Sequence, residues 1–149
     1  MVNSSLSATV YLVSCVSKKR TTPTQAKELY ISDWFVKARH FVEATHSQWF
    51  ILSAEYGLVA PDQIIAPYER TLNNMSTLER RAWADRVTAQ LERSLPDAER
   101  IIVLAGARYR EYLMDYLRRR AKIVEVPMEG LTIGRQLHYL ADATRHECL

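Results

Sequence analysis

Apolar residues in this chain fall into short runs separated by longer amphipathic stretches, and that alternation predicts the fold. Residues 9–13 (Thr-Val-Tyr-Leu-Val), 49–53, 100–105 and 122–126 are rich in β-branched, aromatic and aliphatic side chains and too short for helices, so each predicts a strand. Residues 33–45 predict a helix that Ser32 can cap, with Trp34, Ala38, Phe41, Val42 and Thr45 at the spacing of one buried stripe. Ser76 and Glu79 stand three apart, as in a capping box, at the head of a helix running to about Ser94, and Pro96 helps to stop it. Trp83, Val87, Leu91 and Leu95 recur every four residues and mark its core face. Further helices are expected over 107–119, with Tyr109, Leu113 and Tyr116 on one side, and over 132–143, buried through Ile133, Leu137 and Leu140.

Strands alternating with helices predict an α/β fold: a single three-layer domain with a four-stranded, mainly parallel sheet flanked by helices. The strands read as apolar runs rather than clean alternations, as expected of a sheet covered on both faces. Residues 1–8 are expected as a flexible polar tail and 9–149 as the domain, with strand order left open. Residues 14–20, 54–70, 106–109 and 127–135 all follow strands, so they should converge at the carboxyl edge of the sheet, the usual ligand crevice of open α/β folds. The connection over 54–75, broken by Gly57, Pro61 and Pro67, is long for a compact domain. It is either a functional loop or a surface connection with embedded short strands or turns.

A length of 149 residues suits one domain, and 48% apolar with 25% charged residues excludes disordered, collagen-like and coiled-coil readings. No apolar run is long enough for a bilayer, and the opening residues lack a secretory signal, so a cytoplasmic protein without membrane association is expected. Cys15 and Cys148 lie near opposite ends, which argues against a disulfide framework. Net charge is only +3 and does not establish a DNA-binding surface, but 15 of the 20 basic residues are arginine, the side chain suited to planar recognition of phosphate or carboxylate. No P-loop sequence occurs, which argues against ATP hydrolysis. The four histidines show no metal-ligand pattern, so neither metal nor cofactor is expected.

Candidate chemistry gathers at the strand exits. Two carboxylates can divide a hydrolytic task between base and acid. Glu55, beside the second strand, is the preferred general base, and Asp62 is suited to hold a ribose hydroxyl or to stabilise positive charge at an anomeric carbon. Ordinary loop solvation or ion pairing is the alternative for both. Ser14 and Lys18, immediately after the first strand, combine hydroxyl and cation for phosphate, and Arg70, Arg108 and Arg135 could neutralise an anion. Tyr56, Tyr68 and Tyr109 can stack on a base or orient a sugar, against the alternative of core packing. Gly57 and Gly106 open loops at strand ends, and Gly57 permits a turn closed to larger residues. Cys15 is a nucleophile, an oxidation-sensitive thiol or a small core residue. The run Arg118-Arg119-Arg120 reads as a solvated helix end.

Ser14-Cys15-Val16-Ser17-Lys18-Lys19, then Glu28-Leu29-Tyr30 and Phe35, resembles a small uncharacterised bacterial and phage domain family. Leu104-Ala105-Gly106, Tyr109 and Gly130-Leu131-Thr132-Ile133-Gly134 extend that resemblance over nearly the whole chain. Residues 52–68, with Tyr56-Gly57-Leu58, Pro61-Asp62 and Pro67-Tyr68, also resemble the signature of the larger peroxide-stress protein family. That distant resemblance implies a uracil-DNA-glycosylase-like α/β core and a link to DNA binding or modified-base metabolism. This chain departs from the pattern by carrying Glu69 between Tyr68 and Arg70, and it is too short for the larger family's helical additions.

The expected function is therefore nucleotide or nucleoside processing, in its concrete form hydrolysis or transfer at an N-glycosidic bond, with a nucleotide, a nucleoside or a modified base as ligand. Two other classes stay open: a non-catalytic nucleic-acid-binding protein, and a regulatory nucleotide-binding domain without turnover. Oligomeric state is not readable from the residues.

Overall fold

The computed structural model describes residues 8–14 and 18–148, with side chains up to residue 143. The expected tail therefore lies outside the described residues except for Ala8, whose carbonyl accepts from the N–H groups of Glu99 and Arg100. Cys15 and Cys148 are likewise not described at side-chain level.

The strands are β1 (Thr9–Ser14), β2 (Thr24–Gln25), β3 (Gln48–Ser53), β4 (Gly57–Val59), β5 (Ile64–Ile65), β6 (Arg100–Leu104) and β7 (Ile123–Glu125). Five of them form one sheet in the order β4-β3-β1-β6-β7, and β2 pairs with β5 in a separate antiparallel ribbon. The four strands expected from the sequence all form and run parallel, with β1 central: Tyr11 lies between Trp49 of β3 and Ile102 of β6. Val10 to Ser14 are all buried, so this strand is covered on both faces.

A four-stranded sheet was too small an expectation, and the correction comes from the 54–75 connection. After β3 the chain reverses at once, and Gly57 adopts φ +76°, a left-handed conformation in which glycine carries no steric cost. Gly57, Leu58 and Val59 then return antiparallel against Ser53, Leu52 and Ile51, which makes the sheet mixed.

The helices are α1 (Ala26–Leu29), α2 (Asp33–Ala44), α3 (Thr77–Ser94), α4 (Ala107–Arg110), α5 (Met114–Arg120) and α6 (Ile133–Cys148). Ser32 caps α2 by accepting from the Phe35 N–H at 3.2 Å. The α2 stripe is rotated from the expected one: Phe35, Ala38, Phe41 and Val42 are buried, while Trp34 is half-buried. Phe41 meets Tyr11 of the sheet edge-on at 5.7 Å and Tyr139 of α6 at 6.4 Å, which seats both helices. On α6, Leu140 is buried, but Ile133, expected in the core, opens the helix and is 62% exposed.

The capping box of α3 forms as read, with Glu79 N–H donating to Ser76 Oγ at 3.1 Å and Ser76 N–H to Glu79 Oε1 at 2.9 Å. Trp83, Val87 and Leu91 are buried, together with the charged Arg80. The helix expected over 107–119 is instead two short helices, α4 and α5, joined by a turn where Glu111 accepts from Arg80 at 3.0 Å and Leu113 is buried. Helices thus pack against a mixed sheet in an α/β arrangement. Among the described residues, no helix is long and apolar enough to cross a membrane.

Candidate functional site

With β3 on one side of β1 and β6 on the other, the strand order reverses at β1. The carboxyl end of β1 is then the place where adjacent connections splay apart and leave a crevice. A cleft of about 510 Å³ opens there, within the roughly 300–1,000 Å³ of small-molecule sites.

Its walls come from four segments. Ser14 ends β1 and is buried at the bottom. Lys19 enters from residues 18–20, which are tied to the end of α1: Lys19 bridges to Tyr30, Arg20 N–H donates to Leu29 O, and Ile31 N–H to Lys18 O. Glu69, Arg70, Thr71, Asn73 and Asn74 come from the chain before α3, where residues 72–74 form a 3-10 turn. Gly106, Arg108 and Tyr109 come from the exit of β6.

Charge decides what this cleft can hold. Lys19, Arg70 and Arg108 face one carboxylate, that of Glu69. Arg108 and Glu69 are exposed and have no ion-pair partner among the described residues. Arg70 lies 3.8 Å from Glu55, and Lys19 Nζ sits 4.5 Å from the centre of the Tyr68 ring, a cation–π contact.

Beneath Lys19 a chain of hydroxyls fixes the wall. Tyr68 Oη lies 2.7 Å from Tyr30 Oη and accepts from Ser53 Oγ at 2.9 Å, while Ser53 Oγ accepts from Tyr56 N–H at 3.0 Å. Tyr56 packs edge-on against Tyr68 at 5.6 Å and donates its own hydroxyl to Ala66 O at 3.3 Å. Tyr56 and Tyr68 therefore sit in a structural network behind the cleft. Tyr109 is almost wholly buried against Trp83, ring centres 5.7 Å apart, yet still lines the cleft.

Of the residues singled out from the sequence, Ser14, Arg70, Gly106, Arg108 and Tyr109 come together here. Glu55 touches the cleft only through Arg70. Asp62 lies elsewhere: it is mostly exposed and pairs with Lys27 of α1 at 3.0 Å, in a loop that α1 holds through Lys27 N–H to Pro61 O and Ala26 N–H to Gln63 O. Lys18 contributes its carbonyl to Ile31 and an exposed side chain, and is not among the lining residues. Gly57 serves the β3–β4 reversal. Arg135 lines a shallow groove between α2 and α6 with Phe41 and Tyr139. Cys15 lies outside the described residues. Lys19, Thr71, Asn73 and Asn74 were not singled out; the polar Thr71, Asn73 and Asn74 just ahead of the capping box were a signal that could have found the last three, and Lys19 was offered only by its place beside Lys18.

The other strand exits adjoin this cleft. A cavity of about 210 Å³ behind the β3 exit shares Arg70 with it, and one of about 230 Å³ between the β6 and β7 exits shares Gly106 and Ala107. No group of three or more metal-ligating side chains is present among the described residues.

Residues 10–142 match the model of a family of unknown function (DUF6884). The chain belongs to that family. The matched span runs from β1 into α6, so every wall of the cleft is part of the DUF6884 domain. The chain is also similar to the uncharacterized protein YfjM of Bacillus subtilis (strain 168), 27% identical over 93 residues, which is 61% of each protein.

Proposed function

We propose that the cleft binds a nucleoside phosphate and that the protein processes it at the N-glycosidic bond. The observation that carries this reading is the convergence of Lys19, Arg70 and Arg108 with Ser14, Asn73 and Asn74 at the strand-order reversal of an α/β sheet. Arginine forks and a lysine point charge are the side chains that hold phosphate, and asparagine and serine suit ribose hydroxyls. The resemblance of residues 52–68 to the peroxide-stress proteins, with their glycosylase-like core, favours the same chemistry. We place the protein in the cytoplasm, where such ligands are abundant.

Glu69 takes the general-base role in this scheme, because it is the carboxylate that lines the cleft. It removes a proton from water as the water oxygen bonds to C1′. The C1′–N bond breaks with its electron pair going to the base nitrogen, and the departing base takes up in net the proton that Glu69 removed from water, giving ribose 5-phosphate and free base from a nucleoside 5′-monophosphate and returning Glu69 to the carboxylate. Glu55, held by Arg70, is a second carboxylate at the rim.

The test is calorimetric titration with nucleoside 5′-monophosphates and the parent nucleosides, followed by mass spectrometry for free base and ribose 5-phosphate. Arg108→Gln should weaken the monophosphate at least tenfold and the nucleoside less than twofold. Equal losses for both would refute the phosphate assignment. Binding without any turnover across the panel would leave a regulatory nucleotide-binding domain, and salt-sensitive binding to DNA or RNA alone would favour a nucleic-acid-binding protein.

A further inference from the structure

The cavity that shares Gly106 and Ala107 with the cleft differs from it in chemistry. Trp34, Met128 and Leu131 give it apolar walls, and its polar groups are Arg110, Glu129 and Gln136. Gln136 is already committed: its Oε1 accepts from Trp34 Nε1 at 2.8 Å and its Nε2 donates to Leu131 O at 2.9 Å. Arg110 is different. Its side chain is 15% exposed, its Nη2 lies 3.6 Å from Glu129 Oε2, and its buried Nε–H has no hydrogen-bond acceptor among the described residues. Buried polar groups are almost always paired, so an orphaned guanidinium nitrogen beside a cavity calls for an acceptor.

We infer that this cavity is the base subsite of the same ligand and that it selects a 6-oxopurine, with Arg110 donating to the base; the inference rests on the nucleotide reading of the adjoining cleft. The Nε–H and one Nη2 N–H lie side by side on one edge of the planar guanidinium. That two-donor edge matches the O6 and N7 acceptors of guanine. Adenine places its N6 amine where the second acceptor is needed, so a donor faces a donor. Glu129, beside Arg110, can accept from N1–H next to O6, completing a donor–acceptor order that a 6-aminopurine reverses. Trp34 and Met128 supply apolar and polarisable surface for a planar ring. Gly106 and Ala107 line both compartments, so the two adjoin where no side chain is larger than a methyl, the place at which one ligand would cross from phosphate to base.

The test is calorimetric titration of the full chain with GMP, AMP and ribose 5-phosphate. GMP should bind at least tenfold more tightly than AMP. Arg110→Met should bring GMP to the AMP level while ribose 5-phosphate stays within twofold, and Arg110→Lys, which keeps the charge but loses the two-donor edge, should do the same if the methionine variant does not fold. Equal affinity of the parent for GMP and AMP, with ribose 5-phosphate bound, overturns the base subsite and leaves the phosphate cleft standing. So does a GMP preference that survives both substitutions. Failure of all three probes to bind removes the nucleotide reading and this inference with it.

Discussion

Replacing Gly57 by alanine tests how the β3–β4 reversal is held together. Two costs can be read from the structure. The first is backbone strain: φ is +76°, and a left-handed conformation costs an alanine about 1–2 kcal/mol. The second is collision, because a Cβ at this position runs into the Gln90 side-chain amide. That amide accepts from Leu58 N–H at 2.8 Å and donates to Tyr56 O at 3.2 Å, so pushing it aside breaks both bonds, each worth about 1 kcal/mol net. Reduced freedom of the unfolded chain returns about 0.4–1 kcal/mol. The net expectation is a loss of about 2–3.5 kcal/mol, read as a shift in urea midpoint at constant slope, or as a fall in Tm of about 4–14 °C for a chain of this size. Gln90→Ala alone should cost about 2 kcal/mol by removing the same two bonds. The double variant has no collision left, so its cost should fall short of the sum of the singles by about 1–2 kcal/mol. Additivity within about 0.5 kcal/mol would refute the shared mechanism, and a Gly57→Ala cost below about 0.5 kcal/mol would refute the strain argument as well.

Other perturbations separate the stabilising parts from the working parts. Ser76→Ala should cost about 1 kcal/mol in urea unfolding by opening the capping box of α3. The Ser76 backbone and side chain hold the Glu79 carboxyl below its ordinary pKa, so this box stabilises the fold above the usual carboxylate range and the contribution is lost as pH falls through the lowered value; Glu79→Gln should flatten that part of the acid limb, and an unchanged pH profile would refute the assignment. Arg80→Met strands the Glu111 carboxylate and the Met75 carbonyl, to which Arg80 Nη1 donates at 2.6 Å, and should cost about 3 kcal/mol, near the lower end for a broken buried pair because Glu111 reaches water; a cost under 1 kcal/mol would show that the pair is dispensable. Glu69→Gln should lower turnover about a hundredfold or more while Asp62→Asn, which affects only the exposed pair with Lys27, leaves it within twofold; the reverse ranking would return the chemistry to the 61–63 loop.

What could be read along the chain depended on how many residues each signal spans. Three of the four parallel strands are five- and six-residue apolar runs, β1, β3 and β6, long enough to declare themselves, and the Ser76–Glu79 box is a local pattern with a local cause. Gly57–Val59 is three residues and borrows its stability from β3 and from Gln90 of α3, a residue 32 positions beyond its Leu58 partner, so short strands could be allowed for in the 54–75 connection but nothing nearby told which residues would join the sheet. Arg80 is similar: on the helical wheel it adds charge to an otherwise apolar face, and only the distant Glu111 makes its burial tolerable.

The candidate site divides along the same line. Residues at or just beyond the ends of parallel strands, Ser14 of β1 and Gly106, Arg108 and Tyr109 after β6, reach the cleft because strand direction fixes where they emerge. The acids follow a longer path, and which of them arrives is settled by docking: α1 captures residues 61–63 through backbone bonds and holds Asp62 with Lys27, while the chain continuing past Tyr68 delivers Glu69 and Arg70 instead. Lys18 and Lys19 show how fine that dependence is. In an extended segment adjacent side chains point to opposite sides, and the bridge between Lys19 and Tyr30 turns Lys19 over the Tyr68 ring and into the cleft, leaving Lys18 toward solvent. The chain carries two adjacent lysines after β1, and the pairing partner chooses which of them lines the cleft. A Lys19→Gln variant should therefore weaken phosphate binding, and Lys18→Gln should not. Equal effects of the two on affinity for a nucleoside monophosphate would mean that charge density rather than placement governs the site.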